Sequence, residues 1–126
     1  MKKFSIYTLL SLALVLSFTP ILTHASTTTK STTKSTVVAV DMTVNDFAFT
    51  PSVINAHKGD TIKITLTGED AKHSFALSAF NVNTAVSPGQ TKTFSFKVTK
   101  KGTFLFRCGV PCGKGHKDMN GTIIVS

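Results

Sequence analysis

Beyond residue 36 the chain consists largely of short runs in which apolar and polar residues alternate, and a period of two is the signature of strands. Thr61-Ile62-Lys63-Ile64-Thr65-Leu66 alternates strictly, as do Thr93-Phe94-Ser95-Phe96-Lys97-Val98 and Thr103-Phe104-Leu105-Phe106-Arg107-Cys108. Successive side chains of a strand point to opposite faces, so each run offers one apolar and one polar face. Val37 to Val44, Ser74 to Leu77 and Thr122 to Val125 complete the expected strands. Turn chemistry separates them at Lys58-Gly59-Asp60, Ser87-Pro88-Gly89-Gln90 and Lys100-Lys101-Gly102. No segment has the length and caps of a long helix. The pattern predicts an all-β chain folded as an antiparallel β-sandwich around one core. Phe94, Phe96, Phe104 and Phe106 are assigned to that core, and so are Phe47 and Phe49, which alternate with Asp46 and Ala48.

The first 25 residues have a different character. Lys2 and Lys3 precede an uncharged stretch, Phe4 to Leu22, whose centre, Leu9 to Leu16, is strongly apolar, and Thr23-His24-Ala25 suits a cleavage site. Residues 1–25 therefore read as a signal peptide, with an uncleaved anchor formed by residues 4–22 as the alternative. Both place the remainder outside the cytoplasm, periplasmic or on the outer face of the cell membrane. Residues 26–36 contain only Ser, Thr and Lys and are expected to form a disordered linker. Residues 37–126 then make one domain, large enough for a two-sheet core and too small for a separate substrate-binding unit.

Without Lys2 and Lys3 the chain keeps 12 Lys and Arg against 6 Asp and Glu, a net charge of +6. A scattered positive surface suits life beside an anionic membrane or cell wall, or steering towards an acidic redox partner. The lysines are not clustered, which argues against nucleic acid.

The chemistry lies in Cys108-Gly-Val-Pro-Cys112-Gly-Lys-Gly-His116-Lys-Asp-Met119, where two thiols, an imidazole and a thioether fall within twelve residues. This spacing is not that of a zinc ribbon, a ferredoxin or a thioredoxin. Soft thiolate and thioether ligands favour copper. A Cys108–Cys112 disulfide would close a very small loop, would stabilise little, and would leave His116 and Met119 unexplained. Zinc held by both cysteines, His73 and His116 would leave Met119 idle. A cysteine–histidine hydrolase lacks an evident oxyanion donor and orienting acid, so no catalytic residue is assigned. A second imidazole must come from elsewhere in the folded part. His73, at the start of the Ser74-Phe75-Ala76-Leu77 strand, is the better candidate, and His57, in a polar turn, is the weaker one.

This ligand run, followed by Asn120-Gly121-Thr122-Ile123-Ile124-Val125, resembles the CuA motif of cytochrome c oxidase subunit II and of the C-terminal domain of nitrous oxide reductase. The likeness extends upstream to Phe49-Thr50-Pro51, Lys58-Gly59-Asp60, His73-Ser74-Phe75 and Ser87-Pro88-Gly89. It implies a cupredoxin-like Greek-key sandwich holding two copper ions. By the same resemblance, Cys108 and Cys112 would bridge the ions, and His73 and His116 would bind one each. Met119 and the main-chain oxygen of Val110 would complete the set. A physical argument runs in the same direction. One copper on a single cysteine would leave the second thiolate unused beside a metal, where the deprotonated form is strongly favoured.

The chain departs from subunit II in having no tryptophan, and its only tyrosine, Tyr7, lies in the targeting segment. Asp118 is the only acid in the ligand run, which argues against docking a standard basic cytochrome c. Nothing resembles a haem site, so oxygen reduction is excluded for this chain alone. The expected function is one-electron transfer by an exported copper protein, with a cytochrome or terminal oxidase as partner. The alternatives are a copper-delivery protein and a mononuclear blue-copper carrier of the same fold.

Overall fold

The computed structural model describes residues 34–126. The signal or anchor expected over 1–25, and the linker up to residue 33, lie outside the described residues. Nine strands form: β1 (Val37–Asn45), β2 (Ala48–Thr50), β3 (Val53–Ala56), β4 (Thr61–Gly68), β5 (His73–Leu77), β6 (Val82–Val86), β7 (Thr91–Lys97), β8 (Gly102–Arg107) and β9 (Asn120–Val125). Single 3-10 turns at Ser78–Phe80 and His116–Asp118 are the helical pieces among the described residues.

The strands make two sheets, in the orders β2-β1-β4-β7 and β3-β9-β8-β5-β6. The expected sandwich is present, but its sheets are mixed. β1 runs parallel to β4, Val37 facing Thr61, and β3 runs parallel to β9, Val53 facing Thr122. The remaining pairs are antiparallel. The cause is that the chain changes sheets between β2 and β3 and again between β3 and β4, so sequence neighbours cannot remain pairing neighbours. Three strands escaped the periodicity because each is short: β2 spans 3 residues, β3 spans 4 and β6 spans 5.

Alternation delivers the core as expected. In β4 Ile62, Ile64 and Leu66 are buried while Lys63 is exposed. Phe75 and Phe106 are fully buried and stack with centroids 4.6 Å apart, and Phe49 meets the Phe106 ring edge-on at 5.1 Å. Gly121 makes room for this group, since a Cβ there would clash with the Phe106 ring. Phe94 and Phe104 are half-buried at its margin. Phe47 departs from expectation. It is 37% exposed and sits at φ 67° in the β1–β2 turn, where the chain reverses and the strand alternation is broken.

The two ends of the sandwich differ. One carries the starts of β1 and β4 and the β7–β8 turn; there Ser35 and Thr36 are already tied to the fold. The Ser35 hydroxyl donates to the Gly59 carbonyl, and both the N–H and the hydroxyl of Thr36 donate to Asp60 Oδ1 at 2.9 Å. Asp60 Oδ2 accepts the His57 N–H, also at 2.9 Å. Ser35 and Thr36, just before β1, are therefore hydrogen-bonded to the fold. The Thr36 and His57 backbone N–H groups, with the Thr36 hydroxyl, hold the buried Asp60 carboxyl at about 2, below its ordinary 3.8. The depressed value means that its stabilisation is complete above about pH 3.8 and vanishes as pH falls towards about 2. Asp60→Ala should therefore lower Tm at neutral pH, with the gap from wild type closing across that acid window in thermal melts. A gap that stays constant with pH would contradict this account. Phe75→Ala, which empties the centre of the ring cluster, should cost about 3–5 kcal/mol in denaturant unfolding.

Candidate metal centre

The opposite end of the sandwich gathers the ligand run. β8 and β9 pair antiparallel from Gly102 facing Val125 to Arg107 facing Asn120. The ladder continues one step further, with the Cys108 N–H donating to the Met119 carbonyl at 3.1 Å. Residues 108–119 are thereby a loop whose two ends are held side by side. Inside it, the His116 N–H donates to Gly113 O and the Asp118 N–H to Gly115 O, at 3.2 and 3.1 Å. The Ser74 hydroxyl accepts the Gly109 N–H at 2.8 Å, tying the loop to β5.

β5 brings in the distant imidazole. A ring nitrogen of His73 and the sulfurs of Cys108 and Cys112 all lie within 4.8 Å of one another. Cys112 Sγ lies 3.5 Å from His116 Nδ1 and 3.7 Å from Met119 Sδ. The Cys108 thiol donates to the Val110 carbonyl at 3.2 Å. All six positions singled out from the sequence are thus brought together, and both cysteines are free thiols. Cys108, His73 and Met119 are buried, while Cys112, His116 and Val110 are half-buried at the rim. His57 is elsewhere, its side chain 75% exposed at the other end.

His73 shows most clearly what the site suits. Its Nε2 donates to Asp70 Oδ1 at 2.9 Å, so in the neutral ring the proton sits there and Nδ1 carries a bare lone pair. That Nδ1 is fully buried and has no hydrogen-bond partner. A buried acceptor without a partner is costly in an apolar interior, and a metal ion beside two sulfurs would satisfy it. The donor set of soft sulfurs and imidazoles suits copper. Burial, and then the neighbouring Cys108, push the Cys112 thiol up to about 11, so both protonation and metal-free packing favour the thiol until a cation replaces the proton.

The surroundings of the candidate ligands were not legible in the sequence. Asp70 Oδ1 accepts from His73 and from the Ala71 N–H, and Oδ2 accepts the Asp46 N–H at 2.6 Å. The His73 hydrogen bond is the first cause holding Asp70 down at about 2, so it is a carboxylate at neutral pH. Its hydrogen bond with Asp46, and then its charge, push the Asp46 carboxyl up. Phe47, on the turn that Asp70 anchors, lays its ring against the ligand loop: a Cβ at Gly115 would fall inside that ring, and one at Gly113 would sit 3.0 Å from it. An acid three residues before a candidate ligand histidine is the one signal that could have indicated Asp70. Acids are also less sparse here than the ligand run alone suggested, because Asp46, Glu69 and Asp70 join Asp118 at this end. Asn45 Nδ2 donates to Glu69 Oε2 at 2.9 Å.

Residues 11–125 match the family described as a cupredoxin-like domain. Cytochrome c oxidase subunit 2 of Thermus thermophilus is 33% identical over 79 residues, 63% of this chain and 58% of that protein. Nitrous-oxide reductase of Cupriavidus necator is 34% identical over 92 residues, 70% of this chain and 14% of that one. The chain spans about half the length of the subunit 2 relatives, 58% of one and 47% of another. Among solved structures, the periplasmic domain of subunit II of cytochrome oxidase of Bradyrhizobium japonicum superposes with a TM-score of 0.61 at 26% identity, covering 71% of this chain and 83% of that one. With two facing sheets, this strand order and a match over residues 11–125, the chain belongs to the cupredoxin-like domain family and is close to the CuA domains of cytochrome c oxidase subunit II and nitrous-oxide reductase.

Proposed function

We propose that this domain transfers single electrons through a binuclear copper centre of the CuA type. Cys108 and Cys112 would bridge the ions, with His73, His116, Met119 and the Val110 carbonyl as the other ligands. The observation that carries the reading is His73, with its buried and unpartnered Nδ1, grouped with two free thiols. Held by these residues, copper would supply one-electron transfer.

The chain's own residues supply the rest. Asp70 fixes the His73 ring and its tautomer through Nε2, leaving the buried Nδ1 as the unpartnered nitrogen. The Cys108–Met119 backbone bond and the Phe47 ring against Gly113 and Gly115 hold the ligand loop before metal arrives, which keeps rearrangement small. Buried Met119, with Phe49 and Phe106 in the same core, keeps water from the inner side. His116 and Cys112, half-buried at the rim, provide the outward path to a partner. The partner would be a cytochrome or a terminal oxidase, since the relatives of this domain are subunits of such an oxidase. The rim carries Asp46, Glu69, Asp70 and Asp118 interspersed with Lys72, Lys114 and Lys117, a mixed surface and not a single-sign docking patch. Residues 1–25 would export or anchor the chain and place the domain outside the cytoplasm. Among the described residues no helix is long and apolar enough to cross a membrane.

Copper titration of the reduced protein should reach two ions per chain, with a purple spectrum and electron-spin hyperfine structure from two equivalent coppers. Cys108→Ser and Cys112→Ser should each abolish it. Survival of a coloured single-copper site in either variant would overturn the binuclear reading in favour of a mononuclear carrier. Asp70→Ala should weaken copper binding roughly 10- to 100-fold while the far-ultraviolet spectrum stays that of the native sandwich. Unchanged affinity would remove Asp70 from the account of His73.

A further inference from the structure

The end of the sandwich away from the candidate copper ligands has its own chemical character. A shallow open cavity of about 390 Å³ there is lined by His57, Lys58, Lys101 and Ser126. Lys100 stands beside Lys101 in the β7–β8 turn, and Lys97 ends β7 facing Thr61. These lysines are exposed, and so is Lys34. The acid of the three-residue turn here, Asp60, is buried and turned inward, its oxygens taken by Thr36 and His57. The exposed charged side chains of this end are therefore lysines, whereas Asp46, Glu69, Asp70 and Asp118 all lie at the end of the candidate copper ligands.

Two further features bear on what meets this surface. The backbone here is cross-tied and can act as a firm platform: the Lys58 N–H donates to the Ser126 carbonyl at 2.9 Å, and the Gly59 N–H to Val98 O at 2.7 Å. The chain also enters the fold at this end, since Ser35 and Thr36 are bonded to Gly59 and Asp60.

We propose that this end, through Lys34, Lys58, Lys97, Lys100 and Lys101, seats on an anionic lipid surface and turns the copper end away from it. Lysines near such a surface are drawn to the headgroup charge within a Debye length, so the attachment is electrostatic and salt-sensitive. The inference stands on the charge distribution and on where the chain enters. It does not rest on the copper reading, and a failed copper titration would leave it untouched.

The test uses the full chain with vesicles of phosphatidylcholine alone or mixed with phosphatidylglycerol, and amine acetylation read residue by residue in the mass spectrometer. Apolar insertion of residues 4–22 would be common to both vesicles, so the contrast isolates headgroup charge. With phosphatidylglycerol, acetylation of Lys58, Lys100 and Lys101 should slow roughly five-fold or more relative to Lys114 and Lys117, and added salt should restore it. The double variant Lys58→Glu, Lys101→Glu should lose the protection at the remaining Lys97 and Lys100 while melting as a folded domain. Equal labelling in both vesicles, or protection centred on Lys114 and Lys117, would overturn the proposal. Equal protection by inorganic phosphate without vesicles would also overturn it, by showing a small-anion pocket instead of a membrane face.

Discussion

The pairing of β8 with β9 is the constraint on which the remaining features depend. Its register sets Arg107 opposite Asn120 and lets the Cys108 N–H reach the Met119 carbonyl. A twelve-residue loop between two paired strands would otherwise be free to wander. Clamped at its neck, it brings two thiols, an imidazole and a thioether to one place, within a segment rich in glycine. The same two strands lie inside the five-stranded sheet and contribute Phe106 and Ile123 to the core, so the geometry of the loop is backed by the most buried part of the fold. A slip of one residue would turn Cys108 and Phe106 to the outer face together. Packing and ligand placement are therefore one constraint.

A second layer comes from Asp70, whose two carboxylate oxygens join its own segment, at Ala71 and His73, to the distant Asp46 turn. Through the turn it also positions Phe47, whose ring rests on Gly113 and Gly115. One ionised group thus stands behind both sides of the candidate centre, the histidine side and the loop side. Phe47 accepts a backbone conformation that is unusual for a bulky residue, and its ring contact with the glycines gives a physical reason for that conformation to be held.

Charge is sorted along the length of the sandwich. Acids gather at the candidate-ligand end, where Asp70 takes backbone and imidazole donors and Glu69 takes the Asn45 amide, and the opposite end keeps its lysines outward and its aspartate inward. A net charge of +8 says nothing of this separation. It arises because the β3–β4 and β7–β8 turns fall at one end, while the β1–β2 turn, the β4–β5 connection and the ligand loop fall at the other.

Features confined to a few neighbouring residues were readable directly from the chain. Alternation placed β4, β7 and β8 and their buried faces, and the close spacing of Cys108, Cys112, His116 and Met119 put four candidate soft-metal donors in one loop, because both depend on separations a short segment fixes alone. The same local logic misjudged Phe47 as core, and it passed over β2, β3 and β6, which are too short to show a period. It also left the mixed pairing of the sheets unseen. What only the folded molecule decided are the contacts across long separations: Ser74 with Gly109 and Asp70 with Asp46, together with Thr36 on Asp60. These depend on which strands become neighbours when two sheets close over one core, and that choice is made by packing between distant segments.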